Sequence, residues 1–211
     1  MPVITISRQF ASGGSVIAEA VGERLGWSVI DNDFIDRVAE RAGLTKEEVE
    51  EHEERVPSLI ERLADALAIS SPEVFVSTGE PPGARLGNDE RMLRATQAVI
   101  DQVIETEPNV VMVGRGAQAC LEDRADALHV YIVGSRKARV EAAMDRLGLS
   151  VQEAEERVDK IDEGRRRYVK AHYGRRWDDP ANYHLVFNTS VFSYDQCADL
   201  TVAAAHMRGW T

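Results

Sequence analysis

Residues 7–15, S-R-Q-F-A-S-G-G-S, combine small residues, a cation and hydroxyls in an order that suits phosphate binding. An apolar run precedes them and an amphipathic helical pattern follows, which is the context that a phosphate-binding loop requires. Loop N–H groups and the N-terminus of the next helix attract phosphate oxygens. Laid over G-x-x-x-x-G-K-[ST], Gly13 and Ser15 match, whereas Arg8 replaces the first glycine and Gly14 replaces the lysine. By itself, the segment is also compatible with a glycine-rich turn that binds nothing.

The missing lysine matters because it normally neutralises the β- and γ-phosphates during transfer. Arg8 is the candidate replacement, since its long cationic side chain starts at the loop and could fold back over the phosphates. On spacing alone, a surface salt bridge is an equally good interpretation of Arg8. Ser15 stands where a loop hydroxyl would bind Mg²⁺.

Further arginines suit the binding of phosphate. Arg115 lies between two glycines after an apolar run, where its guanidinium could bind a phosphate through both branches. Asp162, Arg165 and Arg166 are spaced three and four apart, so a helix would place them on one face. A solvated face paired with nearby acidic residues is the alternative for this arginine run.

Another group of polar residues follows the second apolar run. Asp31 and Asn32 come directly after it, and Arg37 lies about one turn into the helix predicted there. Because α/β sheets bind ligands at the carboxyl ends of their strands, these residues are candidates for holding a second ligand. An exposed helical arginine is usually only solvated, so Arg37 needs further support.

Five apolar, β-branched-rich runs predict the strands that position these residues: 3–6, 27–30, 110–113, 128–133 and 184–187. Most are continuous rather than alternating, which favours parallel strands buried on both faces. Alternation with helical patterns predicts a five-stranded parallel α/β sheet with helices on both faces. The predicted helices are 14–25, 33–42, 90–105, 135–147, 151–173 and 195–207. Ser150, with Glu153 three residues on, is the predicted cap of the helix at 151–173.

The expected organisation is one domain over residues 1–211, with a core of about 1–37 and 90–211, a helical and loop insertion of about 43–89, and a lid of about 150–180. Within the insertion, 46–67 is a charge-rich helical pattern whose apolar positions suit either a second copy of the chain or the protein's own core. Residues 70–88, rich in proline and glycine, predict an exposed loop.

The composition narrows the class of protein. With 44% apolar residues, 29% charged residues and a net charge of −11, the chain is typical of a soluble globular protein and a poor non-specific partner for nucleic acid or anionic lipid. Cys120 and Cys197 have no metal-ligand spacing and predict free thiols. No signal peptide or membrane-length apolar run is visible, so we expect a cytoplasmic protein.

Taken together, these segments resemble the cytidylate-kinase-like family, relatives of bacterial cytidylate kinase among the nucleoside-monophosphate kinases. The resemblance is carried, in order, by residues 4–18, 29–33 with Arg37, 111–117, 162–168 and 183–190. This family commonly has Gly-Gly where the lysine is expected, so the loop without lysine is typical of it. Ala11 stands where glycine is often seen, Ser15 where arginine is, and Gly116 where cytidylate kinases carry an acceptor-recognising aspartate.

The resemblance implies a P-loop kinase that transfers a phosphoryl group from ATP, with Mg²⁺, to a nucleoside monophosphate. It implies ATP binding by Gln9, Ser12, Gly13, Gly14, Ser15, Asn188 and Thr189, with Ser15 on the metal. It implies acceptor binding by Asp31, Asn32, Arg37, Arg115 and Asp162, and catalytic roles for Arg8, Arg115, Arg165 and Arg166.

Two alternatives remain open at this point. One is a nucleotide-binding sensor or regulator that has lost turnover, because the loop lysine and the acceptor aspartate are both missing. The other is a structural homodimer formed through residues 46–67. For both the kinase and the sensor, the expected partners are small nucleotides, not nucleic acid or a membrane.

Overall fold

The computed structural model describes residues 1–30, 97, 100, 101, 103–105 and 107–210. The chain divides into two units, one formed by Met1–Ile30 with Glu107–Thr211 and the other by Asp31–Thr106. In the second unit the described residues are helical, and Ile100, Val103 and Ile104 are buried. The helix predicted at 33–42, the pattern at 46–67, the loop at 70–88 and most of the helix at 90–105 lie outside the described residues.

The first unit contains a five-stranded, entirely parallel sheet in the order β2-β3-β1-β4-β5. The prediction of a five-stranded parallel α/β sheet is therefore confirmed. Its strands are β1 (Val3–Arg8), β2 (Ser28–Ile30), β3 (Val110–Val113), β4 (Ala127–Val133) and β5 (Leu185–Asn188). The helices of this unit are α1 (Gly14–Leu25), α2 (Ala117–Cys120), α3 (Arg136–Leu147), α4 (Val151–Tyr173) and α5 (Tyr194–Met207).

Helices cover both faces of the sheet, and the alternation of side chains along β4 shows how. Val130 and Ile132 belong to a buried cluster that includes residues of α1 and α5. Tyr131, which points to the opposite face, packs with Val169 of α4 and with Trp177. Among the helices of the described residues, none has the length and apolar character that crossing a membrane would take.

The strand β5 departs from the expected burial on both faces. Leu185 is half-buried and Val186 is 43% exposed. The expectation holds for β3, where Val110 and Val111 are at most 1% exposed. The difference follows from position, because β3 has a strand on each side whereas β5 lies at an edge of the sheet and pairs with β4.

The helix α4 begins directly after Ser150, the predicted N-cap residue. The Ser150 side chain accepts a hydrogen bond from the Glu153 N–H, and the Glu153 carboxylate accepts one from the Ser150 N–H. This reciprocal capping satisfies two N–H groups at the helix start. The cap therefore fixes where this 23-residue helix begins, and with it the height of Asp162 and Arg165 beside the sheet.

Two histidines form a stacked pair, one in β4 and the other directly before β5. The rings of His129 and His184 lie 4.9 Å apart, and Nδ1 of His129 lies 2.7 Å from the Thr5 hydroxyl. His129 is 2% exposed. Burial, reinforced by the neighbouring His184 ring, lowers the pKa of His129 to about 4. The ring is therefore neutral in the folded protein at neutral pH.

We expect the free energy of unfolding to fall by about 2 kcal/mol between pH 7.5 and pH 5 because of His129. A histidine pKa lowered by folding means that the unfolded chain takes up the proton first. The stability is thus complete above the unfolded pKa and is lost as the pH falls toward the folded value. Urea unfolding at both pH values tests this, with His129→Gln as the comparison. An equally steep loss in that variant would contradict the assignment.

Candidate phosphate-binding site

The loop after β1 is held to the end of β4 by backbone and side-chain hydrogen bonds. The Gln9 N–H donates to the Ile132 carbonyl at 2.9 Å, and Gln9 Oε1 accepts from the Gly134 N–H at 3.0 Å. The buried Ser12 hydroxyl donates to the Gln9 carbonyl at 2.8 Å. Gln9 and Ser12, which the resemblance assigns to ATP, thus hold the loop through their side chains.

The helix α1 begins with two glycines and without a side-chain cap. Gly13 is the N-cap residue, with a φ of 83°, and as a glycine it has no side chain to cap the first turn. A Cβ on Gly13 would overlap the ring of Tyr194, so only glycine fits there. Ser15 is half-buried in the first turn. The first turn of α1 contains no acidic residue, so no carboxylate of this helix offsets the positive end of its dipole, which favours anion binding.

The Arg8 side chain runs from the end of β1 across the start of α1. Its Cβ and Cγ lie where a Cβ on Gly14 would be, and its guanidinium lies against Gly114 after β3. The strand β1 extends two residues beyond the predicted end because Ser7 and Arg8 pair with Tyr131 and Ile132. This extension points the Arg8 cation at the space between the phosphate loop and the turn after β3.

The turn Gly114–Arg115–Gly116 has left-handed backbone at all three residues, with φ values of 75°, 57° and 71°. It is closed by a hydrogen bond from the Ala117 N–H to the Gly114 carbonyl at 3.0 Å. Arg115 is half-buried. A left-handed conformation is unfavourable for arginine, and such strain often accompanies a functional position. The rings of Tyr173 and Tyr168 pack against Gly116, where a Cβ would meet them.

We expect Arg115→Gly to be about 1 kcal/mol more stable to unfolding than Arg115→Ala, although both lose the cation. Glycine relieves the left-handed strain, whereas alanine retains it. Phosphoryl-transfer rates should fall alike in both variants if Arg115 binds substrate. Denaturant unfolding and initial-rate assays on the pair measure the two effects separately. Equal stabilities would show that the turn relaxes when the arginine is removed.

Three charged residues of α4 predicted for the site have different environments. The Arg165 guanidinium donates to the Arg8 carbonyl at 2.7 Å and lies 3.5 Å from the Asp162 carboxylate. Arg166 instead pairs with Glu163 at 3.1 Å and with Asp178 at 3.2 Å. Arg165 and Asp162 therefore meet the phosphate loop, whereas Arg166 is bound to acidic residues on its own side of α4.

Asn188 and Thr189 lie at the carboxyl end of β5, the same edge of the sheet as the loop. The Asn188 side chain accepts from the Ser190 N–H at 3.0 Å, and the Thr189 hydroxyl donates to the Val133 carbonyl at 3.1 Å. Asp31, Asn32 and Arg37 lie outside the described residues, so their role remains a prediction.

One residue that the sequence interpretation missed is Arg139, in the first turn of α3. Its guanidinium pairs with Asp162 at 2.6 Å and donates to the Phe10 carbonyl at 3.3 Å. The available signal was its spacing of four residues from Ala143, which places both on the buried face of α3. A buried arginine on an apolar face requires a partner, and Asp162 is that partner.

The donor set of this loop fits phosphate better than it fits a protein-held metal. Among the described residues, no three His, Cys, Asp or Glu side chains lie together as a metal site. The Ser15 hydroxyl in the first turn of α1 suits Mg²⁺ that is held chiefly by phosphates.

Solved structures share this fold. An uncharacterised protein from Eubacterium ventriosum matches with a TM-score of 0.66 at 18% identity, covering 98% of this chain and 99% of that one. The shikimate kinase from Acinetobacter baumannii, in complex with shikimate, matches with a TM-score of 0.51 at 12% identity over 100% and 96% of the two chains. At such identities the likeness establishes the fold.

Sequence comparison adds one curated relative and one family. A uronate isomerase from Corynebacterium glutamicum is 31% identical over 120 residues, which is 56% of this chain and 23% of that protein. The chain thus spans about a quarter of that relative's length. The sequence profile of the cytidylate kinase-like family matches residues 3–191. Since this match covers most of the chain, the protein belongs to the cytidylate kinase-like family.

Proposed function

We propose that this protein transfers the γ-phosphoryl group of ATP to a nucleoside monophosphate. The observation that carries the proposal is the position of Arg8, which spans from the uncapped start of α1 to the turn at Gly114. A kinase that lacks the loop lysine needs another cation beside the phosphates. The Arg8 side chain lies between two glycine-containing turns, where it could supply that charge. Family membership supports the general class of kinase.

Binding of the donor would use the backbone of the loop. The N–H groups of Gly13, Gly14 and Ser15 would hold the phosphates, and the Arg8 guanidinium would neutralise the charge that the lysine otherwise meets. Mg²⁺ held by Ser15 and the phosphates would supply further neutralisation when bound. Asn188 and Thr189 would lie near the base.

Binding of the acceptor would use Arg115, and the family resemblance adds Asp31, Asn32 and Arg37 as further acceptor residues. An acceptor phosphate oxygen forms a bond to the γ-phosphorus while the bond from that phosphorus to the β-bridging oxygen breaks, leaving ADP. The attacking oxygen is already anionic, so the step requires positioning and charge neutralisation rather than removal of a proton. Arg165, which contacts the phosphate loop, would approach the transferring group from α4. Arg166 would join it by exchanging its ion pairs with Glu163 and Asp178 for the substrate.

The experiment is a panel of monophosphates, CMP, dCMP, UMP, AMP and GMP, incubated with purified protein and Mg·ATP. The proposal expects ADP formation that depends on one or more of them. Turnover with none of the panel would contradict it.

A second candidate function is a nucleotide-binding sensor without turnover, and Gly14 in place of the lysine favours it. Calorimetry separates the two candidates, because the sensor requires tight binding of Mg·ATP together with a blank activity panel. Turnover above background on any monophosphate would eliminate the sensor.

A further inference from the structure

A buried ion pair lies directly beneath the phosphate loop. The side chains of Arg139 and Asp162 are 9% and 3% exposed, and Nη1 of the arginine lies 2.6 Å from Oδ2 of the aspartate. Both also bind the backbone of Phe10. Asp162 Oδ1 accepts from the Phe10 N–H at 2.8 Å, and Arg139 Nη1 donates to the Phe10 carbonyl at 3.3 Å.

The pair extends into a ring of hydrogen bonds around the loop. Arg139 Nε donates to the Gly134 carbonyl at 3.1 Å, and the Gly134 N–H donates to Gln9 Oε1 at 3.0 Å. The helices α3 and α4, the end of β4 and the loop are thereby connected through charge-assisted or backbone contacts. Such bonds to charged groups are stronger and more directional than neutral ones.

The residue that follows Phe10 explains why the loop needs such a support. Ala11 has a φ of 59°, a left-handed conformation that residues with a Cβ rarely adopt. A strained turn persists only where the surrounding contacts over-determine it. The contacts on the two sides of Phe10 supply that constraint, and the loop N–H groups depend on it for their direction.

A buried ion pair is weak evidence for stability, because well-packed apolar residues often replace one without loss. Its two bonds to a single loop residue indicate a positional role instead. We infer that Arg139 and Asp162 are positioning residues that set the conformation of the phosphate loop. Asp162 thus acts on the loop, and the substrate contact that the family resemblance implies for it stays a prediction.

A second ion pair across the same helices supplies the matched control. Arg136 of α3 pairs with Glu155 at 2.7 Å and Asp159 at 3.0 Å on α4. These side chains are exposed, and their ion pairs join α3 to α4 away from Phe10. Removing the Arg136 pair therefore changes the α3–α4 interface without touching Phe10.

This inference rests on the proposed function for its catalytic readout, so the experiment also includes a readout that needs no ligand. The double variant Arg139→Met with Asp162→Leu removes both charges together, which avoids leaving either one buried alone. Asp162→Asn retains a carbonyl oxygen for the Phe10 N–H and serves as the conservative variant. Arg136→Met is the control. The readouts are cooperative unfolding, the KM for Mg·ATP separately from kcat, and hydrogen exchange of the Phe10 amide by NMR.

In the double variant we expect the KM for ATP to rise about tenfold and the Phe10 amide to exchange at least about tenfold faster. Asp162→Asn should fall between it and the wild type, and Arg136→Met should match the wild type within about twofold. A folded double variant with wild-type KM and wild-type Phe10 exchange would overturn the inference. If the wild type transfers no phosphoryl group but the double variant still exchanges its Phe10 amide faster, the positioning role of Arg139 and Asp162 is supported and the proposed function is rejected.

Discussion

Replacing Arg8 by methionine should lower kcat for phosphoryl transfer by about 10²–10³-fold, the effect of removing one preorganised charge donor from a transition state. Methionine keeps the apolar contact of the Arg8 stem with Gly14 but removes the guanidinium beside Gly114. The free energy of unfolding should change by less than about 1 kcal/mol, because Arg8 is only half-buried. Initial rates with the best acceptor of the panel measure the change.

The control for this loss is Arg167→Met, which removes an equally long cation from α4. The Arg167 side chain is 78% exposed and pairs with Glu163 at 3.0 Å. We expect its kcat to stay within about twofold of the wild type, since exposed ion pairs contribute little. Arg8→Lys should recover part of the activity. A kcat for Arg8→Met within about threefold of the wild type would show that the loop draws its charge from another group.

Gly114→Ala should cause a similar loss of kcat without removing any charge. A Cβ at this position would overlap the Arg8 guanidinium, so the arginine must leave the space between the loop and the turn. The left-handed φ of 75° adds about 1–2 kcal/mol of destabilisation. Gly148→Ala measures that backbone cost alone, because its φ is 64° and nothing lies within 4 Å of the added Cβ.

A double-mutant cycle joins these two predictions. If Gly114→Ala acts by displacing Arg8, then adding it to Arg8→Met should lower kcat by no more than about twofold further. Losses that multiply across the pair would mean that Gly114 has its own contact with the substrate. The unfolding free energies of the same four proteins serve to separate misfolding from a catalytic effect.

Much of the sheet could be predicted from the sequence because its strands are continuous apolar runs. Val110–Val113 was predicted with its observed bounds, and α4 was predicted from the Ser150 cap and its periodicity. The edge position of β5 could not be predicted, since exposure there depends on which strand pairs with it. Strand order is a property of the tertiary fold, and a run of apolar residues does not encode it.

The candidate site was predictable in its residue types and less so in its contacts. The glycines at 13 and 114 were visible as turn residues, and Arg8 was a candidate cation. Spacing could not tell whether Arg8 made a surface salt bridge or folded over the loop, because Gly114 approaches it only through strand pairing. Arg139 was missed since its partner Asp162 lies on another helix.

The central position of β1 has a consequence for how the chain folds during synthesis. Thr5 in β1 meets His129 of β4, 124 residues later, and Val3 pairs with Val110 of β3. Translation at roughly 5–20 residues per second leaves β1 without either partner for several seconds. Of the five strands of this sheet, β1 is synthesised first, so the phosphate loop that follows it is among the last parts of the sheet to gain its contacts. This order makes β1 a natural segment for chaperones to shield.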